Sequence, residues 1–343
     1  MPGPRLKDVA AKAGVSVAAA SLALSGKGRI STEVRERVRA AASDLSYHRG
    51  VVPPARASVR QAVGILHSDD RAYDASFVRP TLLELERGML QGGHNPVLLP
   101  VSAAMPADQV VRMTTEACVG AVFAVQIGDR AALSELQAHG IMVVVVNNGG
   151  FQDTFHSVCV DDFQGAYEGT LSLIALGHRA IAFVEYERPE SPAVVADRFV
   201  GFRKALEEAK ISFTADQRVT IPFMDAKRLE KKLAALFARD DRPTAIFAHD
   251  DYLGLFVIDA LAGLGLQVPR DVSLVAPGDV LDYGLPLVPQ ITTMRIDTSL
   301  LGRIAANLML DRLRGSDAGV HVLKVKEQLV RRASCRRLGG ETS

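Results

Sequence analysis

No apolar run in the 343 residues approaches the eighteen or more that a membrane-spanning helix needs. The opening stretch, Met1 to Gly14, is charged and lacks an apolar signal core, which argues against export. Cysteine is scarce: Cys118, Cys159 and Cys335 are far apart and odd in number. They fit neither a disulfide framework nor a CxxC metal site, and point to a reducing, cytoplasmic setting. Enzyme signatures are missing as well. No GxGxxG follows the first apolar strand, and GxxxxGK[ST], GxSxG and HExxH do not occur. His67, His156, His178, His249 and His321 have no metal-ligand spacing, and His249 beside Asp250 and Asp251 is the single acid–base-like cluster. No catalytic residue, cofactor or metal is expected.

What is present is a balance of 48% apolar and 23% charged residues, the composition of a globular protein long enough for two or three domains. The net charge of +1 conceals an asymmetry. Residues 1–60 hold eleven Lys/Arg and four Asp/Glu, a net of +7, while the remainder carries 29 basic and 35 acidic residues, a net of −6. A basic head on an acidic body suggests a polyanion-binding module joined to a body with separate work; a solvated basic helix face gives the same count.

Within that head, Leu6, Val9, Ala10 and Ala13 fall on one face of a short helix that Gly14 ends. Ser16 can cap a second helix, Val17 to Ser25, with Ala20 and Leu24 inward and Val17, Ala18, Ser21 and Leu22 outward. A third helix starts at Ser31, with Glu33 in its first turn and Val34, Val38, Ala41 or Ala42, and Leu45 buried. This is the helix-turn-helix layout, whose second helix enters the major groove of DNA.

The run Leu6-Lys-Asp-Val-Ala-Ala-Lys-Ala-Gly-Val-Ser-Val17, followed by Ser21 to Ser25, Ile30 to Val38 and Leu45-Ser-Tyr47, resembles the headpiece of the LacI/GalR family of regulators. Two departures bear on DNA. The family's recognition helix usually carries Arg where this chain has Leu22, so direct readout here rests on apolar contacts, for example to thymine methyls. Ser21, Lys27, Arg29, Arg35 and backbone amides are expected to hold phosphates, and Lys7 and Ser16 are also counted among the DNA-binding residues. After Tyr47 the family usually has a hinge helix whose leucine wedges into the minor groove. Here Pro53 and Pro54 disfavour helix, and Arg56 stands at the wedge position. A stiff, extended linker is the competing reading.

From Gln61 short apolar strands alternate with amphipathic helices, the signature of βαβ units and parallel sheets. Expected strands are 62–66, 96–99, 121–125, 141–146, 158–160, 180–184, 245–248, 272–275 and 292–296. About ten strands exceed one small sheet, so two lobes are expected, meeting near Asp161, with a ligand cleft between them. Gly177-His178, Asp197-Arg198-Phe-Val-Gly201-Phe202, Asp250-Asp251, Val268 to Leu274 and Leu329 to Ser334 resemble the periplasmic-binding-protein-like core of the same family. The expected organisation is an all-α headpiece (1–48), a Pro-containing linker (49–60), an α/β two-lobed core with parallel sheets (61–335) and a tail (336–343).

The resemblance implies a cleft effector, with Arg198 as its clamp and Asp251 as a family acid; Asp250 replaces an Asn. Phe77, Thr81 and Asp161 also line the cleft, and Phe223 is the aromatic platform. Ala276-Pro-Gly-Asp279 departs from the family pattern, leaving the usual acid either lost to Gly278 or displaced to Asp279. Each residue also has a plain structural reading: a helix cap for Asp161 and Asp162, core for Phe223, a lobe tie for Arg198. The implied protein is a cytoplasmic homodimeric regulator, leaning to repression. It binds a pseudo-palindromic operator in double-stranded DNA, and a sugar or similar polyhydroxylated metabolite modulates that affinity. The alternative is a ligand-binding protein of the same fold with weakened or lost specific DNA binding.

Overall fold

A computed structural model describes residues 6–25, 31–44, 62–68, 75–102, 105–187, 192–315 and 319–339, which divide into two compact units, 1–59 and 60–343. The first unit holds α1 (Leu6–Ala13), α2 (Val17–Ser25) and α3 (Thr32–Asp44). Gly14 ends α1 at φ +65°, a left-handed conformation open to glycine at no steric cost. The chain then re-enters helix at Ser16, whose Oγ accepts from the Ala19 N–H at 3.2 Å. Val9, Ala10, Ala13, Ala20, Ala23, Val38, Ala41 and Ala42 form a small buried core. Alanine dominates it because three short helices this close leave little room for larger side chains.

The second unit contains two parallel sheets. The first has the order β11-β5-β4-β3-β1-β2, drawn from β1 (Ala62–Ser68), β2 (Asn95–Val101), β3 (Val119–Val125), β4 (Met142–Val146), β5 (His156–Val160) and β11 (Val322–Val325). Its central strands β1, β3 and β4 are mostly apolar on both sides, as a sheet covered on both faces requires. One face is covered by α4 (Ala75–Gln91) and α11 (Thr298–Leu313), through Leu85, Met89, Leu301, Ala305 and Met309. On the other lie α5 (Ala107–Glu116) and α6 (Arg130–Ala138), through Val110, Val111, Leu133 and Leu136.

The second lobe has the order β7-β6-β8-β9, from β6 (Ile181–Tyr186), β7 (Arg218–Ile221), β8 (Ala245–Ala248) and β9 (Ser273–Val275). Two helices, α9 (Ala226–Phe237) and α10 (Asp251–Gly263), cover one face. The opposite face packs on α7 (Asp162–Ala175) and α8 (Pro192–Glu208). Here α7 and α8 touch through Gly201, where a methyl group would overlap the Phe163 carbonyl oxygen and lie 3.1 Å from the Tyr167 nitrogen.

The chain crosses between lobes three times. It leaves β5 for α7 at Asp161, returns from β10 (Thr293–Arg295) to α11, and leaves β11 for β12 (Gln328–Val330), which pairs antiparallel with β10. The expected strands all have counterparts, whereas β7, β11 and β12 were not anticipated. All three are three or four residues long and interrupted by Arg, Thr, Lys or Gln, so no apolar run marks them. Past Ser334 the backbone stays attached: the Arg336 carbonyl lies 3.2 Å from His178 Nε2, and Leu338 N–H donates to Leu176 O at 2.9 Å.

Candidate functional site

In the first unit, α2 turns Ala20 and Ala23 into the core and leaves Val17 48% and Leu22 41% exposed. Lys7 is exposed, and Ser16 serves as the helix cap. Arg35 is half-buried in α3, with no hydrogen-bond partner for its Nε among the described residues. The side chains of Ala18 and Ser21 are not among those described, and Lys27, Arg29 and Arg56 lie outside the described residues.

In the second unit, the carboxyl ends of the lobe-2 strands gather the other candidates, where open parallel sheets bind ligands. Beyond β7, Phe223 stays 42% exposed, its ring 5.0 Å from that of Tyr186 at the end of β6 and tilted by 53°. Tyr186 also meets the His249 ring edge-on at 6.0 Å. After β8, Asp250 caps α10 by accepting from Leu253 N–H at 2.7 Å. From lobe 1, Asp161 ends β5 with Lys324 Nζ 3.7 Å away. Phe77 is half-buried in the first turn of α4, and the buried Thr81 hydroxyl donates to the Thr298 carbonyl of α11 at 3.0 Å.

Asp251 and Asp279 organise the loop after β9. The Asp251 Oδ2 accepts from Val280 N–H at 2.9 Å, Leu281 N–H at 3.3 Å and the Tyr283 hydroxyl at 3.3 Å. Its Oδ1 is buried without a hydrogen-bond partner among the described residues and faces Gly278, which has φ +131° and no space for a Cβ. The Asp279 carboxylate sits between Arg295 and Arg332, and the Arg332 guanidinium lies 3.7 Å over the Tyr283 ring. The acid after β9 is thus anchored to the crossing strand and the chain end.

Burial pushes the Asp251 carboxyl up to about 6, with the neighbouring Asp250 charge adding to the shift. A raised folded-state pKa contributes stability that is complete below the unfolded value near about 4 and is lost as pH climbs through about 6. By neutral pH about 3 kcal/mol of that contribution should be gone. Asp251→Asn is expected to flatten this slope in denaturation curves taken from about pH 4.5 to 7.5. Parallel profiles for variant and parent would show that Asp251 titrates as an ordinary surface acid.

Arg198 sits at the first crossing and is 7% exposed. Its Nε donates to Asp162 Oδ1 at 2.7 Å, its second terminal nitrogen approaches the same oxygen at 2.6 Å, and Nη1 donates to the His249 carbonyl. Glu327 of the third crossing lies 4.0 Å away, fully enclosed, with neither carboxylate oxygen hydrogen-bonded among the described residues. It rests on the bare backbone of α7 at Gly165, where a methyl group would overlap the Glu327 carboxylate. Burial raises the carboxyls of both Asp162 and Glu327, against the pull of Arg198. Arg198 lies closer to Asp162 than to Glu327, so Glu327 is the less compensated of the two carboxyls. Reasoning from the sequence missed Glu327, because Lys324-Val-Lys-Glu327-Gln reads as a solvated charged turn.

Two family models match the chain: "Bacterial regulatory proteins, lacI family" over residues 5–50, and "Periplasmic binding protein-like domain" over residues 171–335. Between them they span more than half of it. The chain belongs to the LacI/GalR family. It is a DNA-binding transcription regulator with an effector-binding core, not an enzyme. The HTH-type transcriptional repressor PurR of Pectobacterium atrosepticum is similar at 27% identity over 346 residues, covering 96% of each chain. PurR of Escherichia coli O139:H28 is equally similar over 345 residues. Among solved structures, a transcriptional regulator CelR–cellobiose complex superposes with a TM-score of 0.69 at 24% identity, covering 96% of this chain and 99% of that one. A lac repressor dimer bound to operator and the anti-inducer ONPF gives 0.67 at 21% identity, covering 98% and 100%. Among the described residues, no helix is long and apolar enough to cross a membrane, and no group of three metal-ligating side chains occurs.

Several residues that carry the family resemblance act as pins. His178 Nδ1 pairs with Thr244 Oγ1 at 2.9 Å while its Nε2 meets Arg336 O. Ser334 Oγ accepts from Thr292 N–H at 2.7 Å and donates to Leu274 O at 2.6 Å. Both fasten the chain end to lobe 2.

Proposed function

We propose that the protein is a cytoplasmic homodimeric repressor whose hold on a pseudo-palindromic operator is set by a polyhydroxylated small molecule in the interlobe cleft. The observation that carries the DNA half is α2, capped by Ser16 and presenting Val17 and Leu22 to solvent on a segment of net charge +7. The exposed Phe223 ring beside Tyr186, together with Asp161 and Arg198 at the first crossing between lobes, supports an effector rich in hydroxyls. Cellobiose is bound in the CelR complex, and ribose in an Enterococcus faecium relative with TM-score 0.65 and 23% identity, covering 81% of this chain and 100% of that one.

The dimer is supported by exposed apolar side chains. Leu83 and Leu90 lie seven residues apart on α4, Leu98 is on the edge strand β2, and Leu285 and the 95%-exposed Leu287 follow β9. Two copies would present two headpieces, which matches a two-fold DNA site.

The test is enrichment of bound DNA from a random duplex pool by the full-length protein at two salt concentrations. An enriched inverted repeat, with binding that falls steeply as salt rises, is the expected result. Failure to enrich any sequence, with no binding even at low salt, would favour a ligand-binding protein without DNA function.

A further inference from the structure

Between Val17 and Ser25, α2 reads Val-Ala-Ala-Ala-Ser-Leu-Ala-Leu-Ser, with no Arg, Lys, Asn, Gln, Asp or Glu. Those six make the bidentate or accepting contacts that tell one base edge from another. The hydroxyl just ahead of the helix is occupied, since Ser16 Oγ caps Ala19 N–H. Ser21 and Ser25 carry hydroxyls, which donate or accept equally and therefore discriminate little. Ala20 and Ala23 are buried in the headpiece core. Among its described side chains, the large apolar ones that α2 exposes are Val17 in its first turn and Leu22 in its second.

An apolar side chain in the major groove meets one distinctive apolar feature there, the C5 methyl of thymine. Cytosine has a bare C5 at the same place. Methylation of that carbon creates the same hydrocarbon surface in the same position. What remains different is the exocyclic pair: a thymine oxygen acceptor beside an adenine amine donor, against a cytosine amine donor beside a guanine oxygen acceptor. A serine hydroxyl fits either, and α2 has no other polar side chain to sense the change.

We propose that this protein reads its operator through pyrimidine C5 methyl groups, so that 5-methylcytosine substitutes for thymine beneath Val17 and Leu22 and cytosine methylation becomes an input to DNA binding. This rests on the DNA-binding reading above and adds the chemical feature that is read. Phosphate contacts from the basic residues would supply affinity in either methylation state, while the methyls supply the choice among sequences.

The experiment starts from the duplex that the full-length protein enriches from the random pool. Each thymine is replaced singly by deoxyuridine, and each T·A pair by C·G and by 5-methyl-C·G. Loss of one contacted methyl is expected to weaken binding about fourfold, and about fifteenfold when both half-sites lose it. At the same positions 5-methyl-C·G should bind better than C·G by a similar factor. Leu22→Ala, at an exposed position, should shrink the thymine–deoxyuridine difference at the positions it contacts, while thymine positions it does not contact keep theirs. The proposal is overturned if an enriched duplex binds equally well with deoxyuridine at every position and with cytosine methylated or not, even though sequence-specific DNA binding then stands. A pool that yields no enriched site overturns both readings.

Discussion

Replacing Arg198 by alanine is expected to cost the core about 3–5 kcal/mol, because it strips the compensating charge from a buried carboxylate pair. Asp162 would lose two contacts at 2.6–2.7 Å, and the enclosed Glu327 would lose its nearest positive charge. The loss differs from that of a surface ion pair, which contributes about 0–1 kcal/mol. The stranded carboxylates account for most of it, so Arg198→Met with Asp162→Asn and Glu327→Gln should regain much of the lost stability. Glu327→Gln alone tests which acid holds the proton. A carboxyl whose folded-state pKa is raised loses its stabilising contribution as pH rises through that value. The Gln variant should therefore match the parent at low pH and exceed it at neutral pH. Urea denaturation of the parent and the three full-length variants measures each of these. An Arg198→Ala loss below about 1 kcal/mol would show that the guanidinium does not compensate the pair.

Gly201→Ala should cost about 3 kcal/mol, at the upper end of overpacking penalties, although it adds a single methyl group. The reason is what the methyl would meet: the carbonyl of Phe163 and the nitrogen of Tyr167, both backbone atoms of α7. A side chain could rotate away, but a helix backbone has to move as a body. α8 would tilt from α7, and Arg198, one turn before Gly201, would move relative to Asp162. Gly263→Ala at the end of α10 is the matched comparison, because the added carbon would find only Glu230 Oε1 at 3.9 Å. There the same substitution should stabilise by about 0.4–1 kcal/mol through lower unfolded-state entropy. Equal denaturation midpoints for the two variants would contradict the close helix contact.

The elements that sequence reasoning located best are those whose burial is written into consecutive residues. Val119 to Val125 and Met142 to Val146 are apolar on both strand faces because helices cover both sides of their sheet. Headpiece residues Val9, Ala10, Ala13 and Val38 were legible for the related reason that helical spacing concentrates them on one face. Val322 to Val325 was not, since an edge strand with two exposed apolar residues and a lysine has no pattern of its own. Its partner, Val158 on β5, lies more than 160 positions earlier.

The site divides in the same way. Arg198, Asp251 and Asp279 were named as positions, yet their partners were not. Asp279 meets Arg295 and Arg332, sixteen and 53 residues downstream, and Glu327 reaches Arg198 only because the chain crosses between lobes a third time. Local periodicity carries no information about such encounters. The absence of polar readers from α2, by contrast, is a purely local property and needed no structure to see.

The path of the chain also dictates an order of assembly during synthesis. Strands β6, β7, β8 and β9 all come from one continuous stretch, so the lobe-2 sheet can close once residues up to Val275 have emerged. Lobe 1 begins earlier but finishes later, because it waits for α11 to cover Leu85 and Met89 and for Val322 to Val325 to dock beside β5. A ribosome translating this message therefore carries a chain whose middle already has its sheet formed while its older flank still exposes apolar surface. Nascent-chain protease protection should appear first in residues 181–275 and only afterwards in residues 62–160, the reverse of their order of emergence.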